Sequence, residues 1–285
     1  MKGFLLWFRI IRPQTLFASL VPVLVGIHSV IVSGTAMAVG RPVMIATLTA
    51  VCALGLQILS NLINDYYDFV RGSDKAGRSG FKRALAEGEV NSGEILAAIA
   101  TVLVIVLATG FVLVLSGKWV ILLIGLSAIF FAWLYTATSH SLSYLGIADI
   151  FVFLYYGVVA SSGTAYLLTH AFVPVSFWAG GVSGLISMCV LMINNLRDID
   201  DDRAAGKRTL PVRFGKRAAL VIMLVEILLM PLFAYLAFGI SASMLIIIPA
   251  IALYVAVCRA EGAGYNKCLL ATGLMNVFYF ILCLL

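Results

Sequence analysis

The sequence predicts an all-α, polytopic integral membrane protein with nine transmembrane helices around a central cavity. Three observations lead there. Of the 285 residues, 62% are hydrophobic and 11% charged, where a soluble domain carries about 25% charged residues. Mean hydropathy is +1.09, more apolar surface than a soluble core of this size can hide. The apolar residues fall in nine long runs, and threading those runs through a membrane puts 17 of the 19 lysines and arginines on one side.

The runs cover 14–33, 42–64, 92–116, 118–136, 145–169, 174–196, 217–238, 241–258 and 267–285. A hydrocarbon core about 30 Å thick takes about 20 residues of helix, and most of these runs reach that length. The first starts after Arg12-Pro13 and stops at Gly34. Lys2, Arg9, Arg12 and a later Ala36-Met37-Ala38 imitate a cleaved leader, but residues 4–8 are themselves apolar and the run is long enough to span, so it reads as the first span. Pro42 opens the second run, and Gly72 to Gly93 separates it from the third. Gly117-Lys118 divides the third from the fourth, and Ser139 to Ser143 the fourth from the fifth. His170 to Pro174, Arg197 to Lys216, Gly239 to Ser241 and Arg259 to Tyr265 mark the remaining breaks. No run alternates with a period of two, which excludes strands and a membrane barrel. The five cysteines lie inside apolar stretches with no CxxC pair, and read as small buried residues. Residues 1–285 form one domain, with two four-helix halves (1–140 and 141–260) plus a ninth helix as its simplest internal division.

Lys2, Arg9 and Arg12, the loop after the second run, the loop after the sixth and the loop after the eighth share one side; only Arg41 and Lys118 fall on the other. Basic residues stay cytoplasmic. This puts the N-terminus and the two long loops in the cytoplasm and the chain in the cytoplasmic (inner) membrane.

Those two loops share a pattern: asparagines at a helix end, then aspartates, then glycine and basic residues. Residues three and four apart share a helix face. Asn61, Asn64, Asp65 and Asp68 thus make one polar stripe, and Asn194, Asp198 and Asp202 another. A charge at mid-span costs about 2.5–3.5 kcal/mol on insertion scales, less near the edge. Two such stripes are tolerable if they face a shared wet cavity and bind a divalent cation. Magnesium suits oxygen ligands and phosphates, and Arg71, Arg78, Lys82, Arg83, Lys207 and Arg208 stand by to meet phosphate oxygens.

Gln57-Ile-Leu-Ser-Asn61-Leu-Ile-Asn64-Asp65-Tyr66-Tyr67-Asp68 with Gly72-Ser73-Asp74, Asn194-Asn195-Leu-Arg197-Asp198, Gly206-Lys207-Arg208-Thr209-Leu210 and Arg12-Pro13-Gln-Thr15-Leu16 together resemble the UbiA superfamily of membrane prenyltransferases over the whole chain. Among its branches they are most similar to the one that prenylates 1,4-dihydroxy-2-naphthoate in menaquinone synthesis. The resemblance implies magnesium-dependent transfer of a polyprenyl chain from an allylic diphosphate to an aromatic acid acceptor, with loss of carbon dioxide. Asn64, Asp65, Asp68, Asp74, Asp198 and Asp202 would be metal residues, and Asn64, Lys82, Arg83, Lys207 and Arg208 would bind diphosphate. Tyr135 would steady the allylic cation, through the attraction of an aromatic face for positive charge. Arg12, Asp149 and Arg197 are expected at the acceptor end. Asp74 follows Asp68 by six residues, where the broader superfamily often has four, so Asp74 need not share the helix face.

Membrane lipid is the expected surround; no nucleic-acid partner is expected, and the sequence fixes no oligomeric state. A transporter is disfavoured because the acids lie at one membrane face in a parallel repeat, not at mid-membrane in an inverted one. Other branches, with hydroxybenzoate or homogentisate as acceptor, remain the nearer alternative. Glu226 is expected to meet a polar group on a neighbouring helix, and Gly180-Gly181-Val-Ser-Gly184 to mark a close helix contact.

Overall fold

A computed structural model describes residues 2–72, 83–135, 142 and 146–285. Helix accounts for 84% and there is no strand among the described residues. In chain order the helices are α1 (Lys2–Ile10), α2 (Pro13–Ser33), α3 (Pro42–Val70), α4 (Ser92–Leu134), α5 (Ala148–Thr169), α6 (Pro174–Arg197), α7 (Ile199–Ala204), α8 (Leu210–Phe238), α9 (Ala242–Arg259) and α10 (Gly264–Cys283). All but α1 and α7 are long and apolar enough to cross a membrane, which makes eight among the described residues.

The local chemistry explains the boundaries. Pro sits in the first turn of α2, α3, α6 and α8, where its missing N–H costs nothing. Asn91 caps α4: its side chain accepts from Glu94 N at 2.9 Å and the Glu94 carboxylate accepts from Asn91 N at 2.7 Å. The second expected run continues as α3 past residue 64 to Val70, so its polar stripe stays on regular helix.

Two features differ from the expectation. α1 is helical although no spanning run was expected there; Phe4, Leu5 and Phe8 are exposed on it beside Arg9, a short two-faced segment that a search for twenty-residue runs passes over. The expected third and fourth runs form one 43-residue element, broken at Lys118 where φ is 53° and ψ −145°. Either side of the break, Leu113 and Ile121 pack with Val30, Ile45 and Leu168. The start of α4, Ile95, packs with Leu62 and Ile10, and Tyr135 at its end stands near Asp68 and Asp202.

α6 is the most enclosed of the long helices. α8, α9 and α10 wrap it in a core that includes Met192, Met223, Ile246 and Tyr279. The opposite faces of α8 and α9 carry exposed Val221, Leu228 and Ile248, a lipid-facing coat. Against α6 lies the middle of α5, a π-helical turn over Leu154–Val159. Glycines set that contact: a Cβ on Gly157 would meet Gly180 O and the Gly184 Cα at 2.6 Å, and one on Gly184 would meet Phe153 O at 2.6 Å. The glycine pair seen in the sequence therefore serves packing within the chain. Because the obstacle is backbone, Gly184→Val is expected to destabilise the fold by about 3 kcal/mol or more, at or above the usual range for overpacking. Thermal unfolding in detergent, followed by size-exclusion fluorescence, measures it. Glu226 on α8 meets Cys189 on α6, whose Sγ donates to Oε2 at 3.6 Å.

Candidate active site

A cavity of about 600 Å³ opens among α2, α3, α4, α5, α6 and α10. α8 and α9 contribute nothing to its wall. Its polar end carries both aspartate stripes and basic groups from three parts of the chain; the rest is mainly apolar and aromatic.

On α3 the four-residue spacing puts Asn64 and Asp68 on the cavity wall. Asp68 is 2% exposed, and its Oδ1 has no hydrogen-bond donor. From the other stripe, Asp198 ends α6 and Asp202 lies one turn on, in α7; both are buried and both line the cavity. The flanking Asp200 and Asp201 point outward and are exposed, Asp200 pairing with Arg203 at 2.8 Å. Gly206 then turns the chain back with φ +76°, a left-handed value that glycine takes without penalty. This delivers Lys207 to the cavity. Its Nζ lies 3.5 Å from Asp68 Oδ1 and 3.8 Å from Asp202 Oδ1, so one ammonium stands between the two stripes.

Arginine serves elsewhere. Arg197 forks onto Asp198, Nε to Oδ1 at 2.8 Å and an Nη to Oδ2 at 2.9 Å, and reaches Asn266 with its other Nη at 2.8 Å. Arg12 and Arg83 both pair with Asp65. Asp65 is buried and does not line the cavity, whereas Arg12 and Arg83 do. Tyr135 lines the cavity where it feels the charges of Asp149, Asp202 and Asp68.

Of the residues singled out from sequence, the structure gathers Arg12, Asn64, Asp68, Arg83, Tyr135, Arg197, Asp198, Asp202 and Lys207 around one cavity. Arg208 is exposed and off the wall, because it follows Lys207 directly and the turn can aim only one of them inward. Asp149 is buried behind the wall with one oxygen lacking a donor. Asp74 and Lys82 lie outside the described residues. Sequence reasoning missed the aromatic wall: Phe131 packs on Phe151 at 4.5 Å and on Tyr155 at 5.4 Å between ring centroids, and all three line the cavity. The available signal was spacing, since Phe131 and Tyr135, and likewise Phe151 and Tyr155, are four apart.

The donors fit a hard cation. The candidates are all oxygen, and buried Asp68 Oδ1 makes no hydrogen bond while facing Lys207 Nζ at 3.5 Å. Among the described residues no group of three or more His, Cys, Asp or Glu stands together to hold a metal. A cation here would therefore complete its shell with ligand oxygens, as magnesium does when it takes one or two carboxylates plus phosphate.

Known proteins resemble this chain in sequence and in fold. The family model described as the UbiA prenyltransferase family matches residues 19–279. The 1,4-dihydroxy-2-naphthoate octaprenyltransferase of Escherichia coli (strain K12) is 35% identical over 219 residues, 74% of this chain and 68% of that one. The protein of the same name from Mycobacterium tuberculosis (strain ATCC 25618 / H37Rv) is 36% identical over 216 residues, 75% and 72% of the two chains. Among solved structures, a UbiA homolog from Archaeoglobus fulgidus bound to GPP and Mg2+ superposes with a TM-score of 0.69 over 98% of each chain, at 20% identity, a likeness of fold.

Proposed function

This chain belongs to the UbiA prenyltransferase family, and on that premise we propose that it transfers a polyprenyl chain from an allylic diphosphate to 1,4-dihydroxy-2-naphthoate, with magnesium and with loss of carbon dioxide. It is an integral membrane transferase. The observation that carries the reading is the Lys207 ammonium between buried Asp68 and Asp202 at the head of a mainly apolar, aromatic cavity. The names of the Escherichia coli and Mycobacterium tuberculosis relatives support the naphthoate acceptor.

Asn64, Asp68 and Asp202 would hold the magnesium, with Asp198 beside them under the Arg197 fork. When bound, the ion neutralises the charge of a diphosphate. Lys207 and Arg83 bind and orient the diphosphate oxygens. The C–O bond at C1 of the chain breaks with its electron pair on the diphosphate. Tyr135, Phe131, Phe151 and Tyr155 line the space beyond, where aromatic faces steady the allylic cation and exclude water. The electron-rich acceptor ring forms the new carbon–carbon bond at C1, and its carboxylate carbon departs as carbon dioxide.

The same reading sets the topology. The start of α4 packs with Ile10 and Leu62 and its end stands near Asp68 and Asp202, while the residues around its break pack with Val30, Ile45 and Leu168, which supports two crossings by this element and nine by the chain. The basic loops place the N-terminus and the cavity mouth in the cytoplasm.

Purified protein in nanodiscs, given a long allylic diphosphate and either dihydroxynaphthoate or hydroxybenzoate, tests the function by mass spectrometry. Decarboxylated prenyl product from the naphthoate is expected, falling about 100-fold or more in EDTA and returning with magnesium. Product from hydroxybenzoate alone, its carboxylate retained, would move the acceptor to another branch; undiminished turnover in EDTA would remove the metal.

A further inference from the structure

The cavity carries a second polar feature that the diphosphate chemistry does not use. Gln57 on α3 is 7% exposed and lines the cavity. Its Nε2 donates to Thr15 Oγ1 at 3.3 Å and to Asn61 Oδ1 at 3.2 Å. Asn61 in turn donates through Nδ2 to Ile11 O at 3.2 Å and to Thr15 Oγ1 at 3.0 Å, and Thr15 Oγ1 donates to Arg12 O. This chain of bonds settles which end of the Gln57 amide is nitrogen, an assignment that shape alone cannot make. The carbonyl end, Oε1, has no donor.

Asn276 on α10 repeats the condition. It is 2% exposed, lines the same cavity, and its Oδ1 has no donor either. α10 reaches this corner because Gly273, one turn before Asn276, lets it close on the start of α2: a Cβ there would stand 3.1 Å from Gln14 O, next to the Thr15 that holds Gln57.

A buried carbonyl oxygen without a donor is costly, and a ligand that supplies the donor recovers that cost. Both oxygens can only accept. An allylic diphosphate has a hydrocarbon tail and an anionic head, both without the hydrogen these oxygens lack. The other substrate has such hydrogens if it is a hydroxylated arene. We propose that Gln57 Oε1 and Asn276 Oδ1 each accept a hydrogen bond from one hydroxyl of the aromatic acceptor, so that the cavity selects a dihydroxyarene over a monohydroxyarene. This rests on the aromatic-acceptor reading above and adds which atoms recognise it.

The first experiment needs no variant. Binding of 1-hydroxy-2-naphthoate and of 4-hydroxy-2-naphthoate to the wild-type protein is compared with that of 1,4-dihydroxy-2-naphthoate, by competition against transfer, in magnesium and a saturating polyprenyl diphosphate. Each analogue lacks one donor and is expected to bind about 10-fold or more weakly, since a site built to pair a hydroxyl rejects its absence. Gln57→Met and Asn276→Leu each remove one acceptor. In either, the preference for the dihydroxy compound over one of the two analogues is expected to fall to within about 3-fold while the KM for the diphosphate stays unchanged. Equal binding of all three compounds by wild type overturns the proposal whether or not a variant folds. A variant that keeps the full preference, or weakens both substrates together, overturns it too. If wild type binds the magnesium diphosphate yet prenylates no arene, the acceptor reading fails and takes this proposal with it.

Discussion

Asp68→Ala and Asp202→Ala are each expected to lower transfer by about 1000-fold or more while leaving the protein folded. Stabilisation of charge by fixed groups in a water-poor site is usually the largest single contribution to catalysis, and losing one such group costs about 100–1000-fold. Here each carboxylate has two functions. It is a candidate oxygen ligand for magnesium, and it balances Lys207, which lies 3.5 Å from Asp68 and 3.8 Å from Asp202. On the proposed reading, removing either one would lose a metal oxygen and shift the ammonium placed to meet the diphosphate. Folding survives because Lys207 keeps the other aspartate as its partner. Asp200→Ala supplies the control: the side chain belongs to the same acidic run, but it is exposed and its pair with Arg203 lies at the surface, where such pairs contribute about 0–1 kcal/mol. Wild-type rates are expected from it. Initial rates together with magnesium-dependent diphosphate binding make the comparison, and turnover near wild type in either cavity mutant would remove the carboxylates from the reaction.

Much of this site was readable from spacing, because its two stripes are local. Helix geometry separates Asp198 and Asp202 from Asp200, while Asp201, three residues after Asp198, is turned outward only in the fold. What spacing could not supply was anything set by distant chain. Lys207 and Arg208 are equivalent as letters; the positive-φ turn at Gly206 is what admits one and leaves the other outside. Lys118 marked a boundary between runs, and in the fold a single residue with non-helical dihedral angles separates the two helical stretches there, so the break is a kink and no loop. The aromatic wall joins α4 to α5, and the unpaired amide oxygens of Gln57 and Asn276 come from helices more than two hundred residues apart in sequence. Spacing pairs the aromatic residues within each helix, but nothing local joins the two helices or the two amides.

Asp65 shows the same limit most sharply, and it yields the second large effect. In the sequence it stands beside Asn64 in the motif and reads as a metal residue. In the fold its carboxylate is buried between Arg12, 53 residues before it, and Arg83, 18 after it. Arg12 occupies a left-handed conformation, φ 53° and ψ 69°, at the corner between α1 and α2, a backbone state a bulky residue holds only when its surroundings enforce it. Asp65 is thus the anchor that ties this corner and the chain before α4 to the end of α3. Breaking a buried ion pair from one side costs about 3–5 kcal/mol, and Asp65→Ala is expected to destabilise the protein by that amount. Its melting temperature in detergent should fall well below that of Asp68→Ala. Kept cold enough to remain folded, Asp65→Ala should still bind diphosphate in magnesium, since Asn64, Asp68 and Asp202 are intact. The reverse pattern, wild-type melting with magnesium-dependent binding lost, would return Asp65 to the metal and show that the two arginines hold it only when the ion is absent.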